Sequence, residues 1–329
     1  MAETPLAPLA GGLVVRKYDE AFREPWDSFV AQSFQGTLFH TRAFLAYHPS
    51  SRFEDTSLLF FKKEKLLAIL PAVFVQREDA RVLVSHPGAS FGGFVTSSLN
   101  LREQGHVLLA LQHFAREHYC AAIELALPPI CYQQTDDQSF AYALYHAGFR
   151  VQRRELTQAV RLLPQREQDY SAEFQRKIRR AQMLGVVVQE SDDLAGFHSI
   201  LLRNLAERHG AQPAHTLEEL LELRQRLPEC VRLFAAFVEE KMIAGYLVFV
   251  CNKQTALAFY IAQWYEAQHY RAINLLAHEV MNWCEREGLA YFDFGTSTIN
   301  AEPNWGLIDF REAAGARGFW RERWRLEIS

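Results

Sequence analysis

Apolar positions in the second half of the chain repeat with two clear periods. "VVVQES" (186–191) is β-branched and predicts a strand. Helical spacing runs from Leu194 to His209 and stops at Gly210. Thr216 and Glu219 make a capping box, so a second helix starts there and ends before Pro228. "VRLFAAFV" (231–238), "AGYLVFV" (244–250) and "TALAFYIA" (255–262) follow, joined by turns short enough to demand an antiparallel meander. Ile273, Leu276, Ala277, Val280 and Cys284 form one apolar stripe on a helix over 271–287, capped by Gly288. "AYFDFG" (290–295) is a strand, 307–314 a helix followed by Gly315, and "FWRERWRLEI" (319–328) an alternating last strand.

The first half gives nearly the same order. A strand at 13–18 precedes helices at 22–34 and 41–47, then strands at 57–62, 66–76 and 81–96. A helix at 103–118, a strand at 121–127, a helix at 139–147 and a strand at 149–163 complete it. The duplication is one of element order, without a residue-level repeat. The pattern predicts an α/β protein with mixed, mostly antiparallel sheets in two domains, 1–165 and 166–329. "YSAEFQRKIRRAQMLG" (170–185) supplies a basic linker helix over 170–184 that opens the second.

Composition changes this picture little. At 329 residues, with 49% hydrophobic and 22% charged residues, the chain suits two soluble globular domains. A net charge of −4 gives no general attraction to DNA or to membranes, and no apolar run reaches the length of a membrane span. The five cysteines lack CxxC spacing, which predicts reduced thiols and a cytoplasmic setting. None of the twelve histidines falls in a ligand pattern such as HExxH, so no metal site is expected. The start, MAETPLAPLAGG, has neither basic nor apolar signal character and reads as a frayed tail.

Three stretches carry a family likeness. "FQRKIRRAQMLGVVVQES" resembles a basic helix running into a strand, "AYFDFGTS" a penultimate strand and its turn, and "GLIDFREAAG" a Gly-Leu-x-x-Phe-Lys-x-x-x-Gly segment with Arg311 in place of Lys. In that order they are similar to the FemABX-like, or BioF2-like, branch of tandem GNAT acyltransferases. The resemblance implies an N-acyltransferase, with the acceptor on the first domain and the donor on the second. The donor would be a co-substrate rather than a permanent cofactor: acyl-CoA, or aminoacyl-tRNA in a peptidoglycan-bridge type of enzyme. The acceptor would be an amine on a cell-envelope precursor, an amino sugar, or a lipid- or nucleotide-linked metabolite. Oligomeric state is open, and so is a second class, a degenerate tandem GNAT that only binds or scaffolds.

GNAT enzymes hold the CoA pyrophosphate in a loop resembling Q/R-x-x-G-x-G/A, on backbone N–H groups at a helix start. The matching stretch is "AQHYRAINLL" (267–276), which implies Gln268, His269, Arg271 and Ala272 as donor contacts. Tyr270 departs from the pattern where the first glycine is expected, which disfavours that backbone geometry. Arg176 and Arg180 of the basic helix would add charge, since 150–180 holds nine Arg/Lys against four Asp/Glu. A solvated basic face is the plain alternative.

Chemistry candidates follow from strand alternation. On "YFDFG" Asp293 points away from Phe292 and Phe294. It is either a general base for the amine or a structural acid accepting from the N–H groups of 295–297. Tyr260 and Tyr265 either protonate the leaving group or pack. In the first half "SHPGASFGGFV" (85–95) is no P-loop, lacking the Lys-Ser/Thr end. It is either a bent strand or a substrate-facing segment in which Ser85, His86 and Ser90, with His40 and Tyr47, touch the acceptor.

Overall fold

Pro71 decides the architecture of the first unit. In the computed structural model, which describes residues 12–48 and 52–328, the apolar run expected as one strand over 66–76 is two. The proline has no N–H to continue a ladder. At Pro71 the chain leaves one sheet and enters another, so β3 (Lys65–Leu70) and β4 (Ala72–Arg77) have different partners. The tail expectation for the opening residues lies, up to residue 11, outside the described residues.

The first unit takes the chain up to Arg154 and again from Trp320 onward; the second takes Glu155–Phe319. The first contains β1 (Leu13–Lys17), α1 (Arg23–Gln32), α2 (Arg42–Leu45), β2 (Leu58–Lys62), β3, β4, β5 (Ala80–Ser85) and β6 (Val95–Thr96). Next come α3 (Leu101–Glu117), β7 (Ala122–Ala126), α4 (Ser139–His146) and the start of β8 (Arg150–Arg161). The second contains α5 (Ala172–Met183), β9 (Val187–Glu190), α6 (Leu194–His209), α7 (Leu217–Arg226), β10 (Val231–Val238), β11 (Lys241–Val250) and β12 (Thr255–Gln263). It continues through α8 (Ala272–Arg286), β13 (Tyr291–Thr296), the short hairpin β14 (Thr298–Ile299) and β15 (Glu302–Pro303), and α9 (Trp305–Ala313). The last strand is β16 (Arg317–Glu327).

In the first unit β1-β2-β3-β6 form one antiparallel sheet. β4-β5-β7-β16 form another, parallel only between β5 and β7. The strand expected over 81–96 therefore stops at Ser85, and residues 86–94 form a loop before β6 joins β3. A core of Val107, Leu108, Leu111 and Phe114 from α3 packs with Phe60, Phe149 and Trp324. Glu124 on β7 is 1% exposed and held by Arg77 (2.7 Å, two bonds) and Arg325 (2.6 Å).

The second unit has one mixed sheet, ordered β8-β13-β12-β11-β10-β9. All neighbours are antiparallel except β12 and β13, as the meander and the crossover through α8 require. The stripe on α8 is buried as its spacing predicts at Leu276, Ala277, Val280 and Cys284, all at 0% exposure, while Ile273 at its start is partly buried. Phe174, Ile178 and Ala181 of α5 join the same core. The capping box of Thr216 and Glu219 starts α7, and Gly210 ends α6 in the left-handed conformation. Among the described residues no helix is long and apolar enough to cross a membrane.

Candidate functional site

Two strands part inside the second sheet, and each has a visible cause. β12 pairs with β13 only over Thr255–Leu257, against Tyr291–Asp293, yet β12 runs on to Gln263. In its ladder with β11, Leu247 faces Tyr260 and Val248 faces Ala258, so Phe259 is an extra residue. Such a bulge kinks a strand and increases its twist. β13 bends at Gly295, which has φ +85°, a conformation costly for any residue with a Cβ. Beyond Leu257 the β12 backbone on that side has no strand of β13 to pair with. Replacing Gly295 with Ala is expected to cost about 1 kcal/mol, read as a lower thermal midpoint. The cost is conformational, since an added Cβ meets nothing closer than 3.7 Å.

Asp293 holds that bend. Its Oδ1 accepts from Gly295 N (2.8 Å) and from Thr157 Oγ1 (2.7 Å), and the residue is 1% exposed. An aspartate bonded to the N–H two residues on is a turn-former. This is the structural one of its two sequence readings. Arg311 of α9, 5% exposed, completes the bend from the other side. It donates to Phe294 O (2.7 Å), Gly295 O (2.8 Å) and Ser297 Oγ (2.5 Å). Burial pushes the Arg311 pKa down to about 10, against the opposing pull of Asp293. The sequence likeness flagged Arg311 only as a replacement; its bonds to the β13 carbonyls emerge from the fold.

α8 opens beside a 3-10 turn, Tyr265–Tyr270. The left-handed residue that joins them is Arg271 (φ +59°), not Tyr270. The strain expected at Tyr270 therefore falls one position later. Ala272 is buried at 1%, as a first helical residue packed on the core must be small. None of the described side chains caps α8 by a hydrogen bond to its first amides. A helix N-terminus in that condition favours an anion. Arg271 and His269 are exposed, Gln268 is half-buried, and His269 Nδ1 bonds Glu266 O at 2.9 Å. Arg271 also comes close to α5: Lys177, bonded at 2.8 Å, lowers the Glu173 pKa, with Arg176 and Arg271 adding to the effect. Arg271 and Arg176 thus both act on Glu173, while Arg180 lies exposed one turn further along α5. Asn274 in the first turn of α8 is 6% exposed, and its Nδ2 has no partner among the described residues. The Tyr246 hydroxyl on β11 is in the same condition at 0% exposure. Sequence reasoning passed over both, because each sits in an ordinary apolar pattern.

The two tyrosine candidates differ. Tyr260 Oη lies 3.0 Å from His215 Nδ1, and burial pushes its pKa up to about 12. Tyr265 is 57% exposed at the start of the 3-10 turn.

Four of the five first-unit candidates, His40, Tyr47, Ser85 and His86, are buried in packing, and Ser90 is half-buried. His40 is fully buried: Thr37 N donates to its Nδ1 (3.1 Å), which fixes Nε2–H as the donor to Gly92 O (3.0 Å). Burial holds its pKa down at about 4. Its expected substrate contact is corrected accordingly, since both ring nitrogens are spent inside the fold. Tyr47 is 3% exposed against the His48 ring (4.0 Å). Ser85 Oγ accepts from Ala126 N (2.8 Å). His86 stacks on His48 (5.3 Å), and Ser90 lends its carbonyl to Arg321 (2.6 Å). A Cβ at Gly88 would stand 2.2 Å from His48 Nε2, so that glycine serves close packing in the loop.

These features define a class. Residues 168–303 match the acetyltransferase (GNAT) domain family, and the second unit carries that domain. The whole chain has a tandem GNAT fold. It is similar to FemX, with a TM-score of 0.73 at 12% identity, covering 95% of this chain and 97% of that one. A tandem GNAT protein from the clavulanic acid biosynthesis pathway aligns with a TM-score of 0.51 at 13% identity, over 96% and 99% of the two chains. The C-terminal domain of a putative lysylphosphatidylglycerol synthetase from Agrobacterium fabrum gives 0.58 at 9% identity, over 94% and 92%. No curated protein sequence matches this chain.

Proposed function

We propose that this chain is an N-acyltransferase that moves an acyl or aminoacyl group onto the amine of a cell-envelope precursor, an amino sugar or a related metabolite. The observation that carries the reading is the parting of β12 and β13 beside an uncapped, cation-flanked start of α8. An unpaired strand edge accepts an extended, amide-bearing arm as it would a further strand. The helix start and Arg271, with Arg176, suit phosphates. Acyl-CoA combines both features in one molecule. In the transfer the amine nitrogen forms a bond to the acyl carbon, the carbon–sulfur bond breaks, and a proton passes from nitrogen to the thiolate. Tyr260, half-buried against His215, and Tyr265, exposed, are the two candidate proton donors.

Aminoacyl-tRNA is the second reading. It draws on Arg176, Arg179 and Arg180, exposed along α5 and extending the basic surface beyond one pyrophosphate. A thermal-shift series separates the donors. Acetyl-CoA at a hundredfold excess over Kd is expected to add about 2.7 kcal/mol, and Arg271→Ala to remove most of the shift. Stabilisation by charged tRNA but not by acetyl-CoA would select the second reading. No shift with either would leave a binding protein without a donor.

A further inference from the structure

The first unit contains a groove of about 810 Å³ that the donor site does not use. Four aromatic rings on it stand largely in solvent: Phe34 at 47%, Tyr142 at 56%, Tyr145 at 58% and Trp320 at 58%. Large exposed rings lining one groove mark a recognition surface.

Between the rings the lining is amide and hydroxyl. Gln104, only 4% exposed, donates from Nε2 to Leu99 O (3.1 Å) and Ser139 Oγ (2.9 Å). Its Oε1 has no partner among the described residues, and neither has Ser97 Oγ, from another residue lining the groove. A buried acceptor left alone costs about 1–3 kcal/mol, which a ligand hydroxyl would recover.

Charge narrows the ligand further. Among the described lining residues Arg154 is the one cation, against the carboxylates Asp137 and Glu322. Arg154 is paired within the groove: its Nε donates to Glu322 Oε1 (2.8 Å) and its guanidinium lies 4.9 Å from the centre of the Trp320 ring. The lining is therefore net negative and disfavours a phosphate, while exposed Asp137, which accepts from Ser139 N (2.8 Å) and Ser139 Oγ (3.0 Å), keeps lone pairs for an ammonium.

We infer that this groove binds a hexosamine with no phosphate attached. The flat C–H face of the pyranose lies on Trp320 and its hydroxyls donate to Gln104 Oε1 and Ser97 Oγ. The amine faces Asp137. Calling this ligand the acceptor rests on the proposed function; the binding itself does not, so it is measured without any donor.

Isothermal titration with glucosamine, glucose and glucosamine 6-phosphate tests it on the whole chain. Glucosamine is expected to bind more tightly than either of the others. Trp320→Ala is expected to weaken it by about tenfold or more, the loss of one stacked ring. Gln104→Leu should weaken it as well. Trp320 is mostly exposed, so its variant keeps the wild-type thermal midpoint, and Trp305→Ala, outside the groove, binds normally. Absence of glucosamine binding, tighter binding of the phosphate, or indifference to Trp320→Ala would each overturn the assignment. Failure of acetyl-CoA to bind would not touch it.

Discussion

Replacing Arg311 with methionine is expected to cost about 3–5 kcal/mol of stability, because it leaves several buried acceptors without their donor at about 1–3 kcal/mol each. The guanidinium bonds two carbonyls and a hydroxyl of the β13 bend, at Phe294, Gly295 and Ser297. Methionine fills much of the volume and satisfies none of them. It also removes the cation that offsets the buried Asp293 charge. The check is the urea midpoint at an unchanged m-value. Arg311→Lys should recover only part, because one ammonium cannot reproduce the planar fork. Asp293→Asn in the methionine background should recover some of the loss by removing the uncompensated charge. A methionine variant within 1 kcal/mol of wild type would mean that β13 bends for another reason.

The second large effect is a loss of stability in acid. His40 is neutral in the fold with its pKa at about 4, whereas an unfolded histidine titrates near 6.5. Below 6.5 the unfolded chain binds a proton that the folded one refuses, so stability is complete above that pH. It is lost as pH falls from 6.5 towards 4. The difference is worth about 3 kcal/mol for this one group. His86, held at about 3 by burial and by its neighbour His48, acts in the same direction. Unfolding free energies of wild type and His40→Gln at pH 7 and pH 4.5 isolate the first contribution. Glutamine can accept from Thr37 and donate to Gly92 without titrating, so the variant should lose less on acidification. Equal losses in the two proteins would refute the assignment.

What could be read from the sequence follows the range of the interaction. α7 and α8 were legible because a capping box and a single apolar stripe are local signals. α3 begins two residues earlier than its expected start, at Leu101, because Asn100 and Glu103 form a capping box that the apolar spacing alone does not reveal. The break at Pro71 was written in the sequence but outweighed by the apolar run around it. The left-handed turn at Arg271 was not legible, since no glycine marks it. Arg311 looks like one more cation on an amphipathic helix, and only the carbonyls of a bent strand give it partners. The groove draws on residues from Phe34 to Trp324, and no periodicity joins positions that far apart. Asp293 shows the limit most sharply: its burial was expected, while the choice between base and bend lay in which N–H groups surround it.

The return of the chain at Trp320 has a consequence for biosynthesis. β7 takes Arg323–Glu327 as its antiparallel neighbour, with Trp324 in the core beneath α3. On the ribosome those residues emerge only after the whole GNAT domain has been made. The first unit, though it begins ahead of the GNAT domain in the chain, is therefore completed only after it, and until then β7 lacks its β16 neighbour and has an open edge.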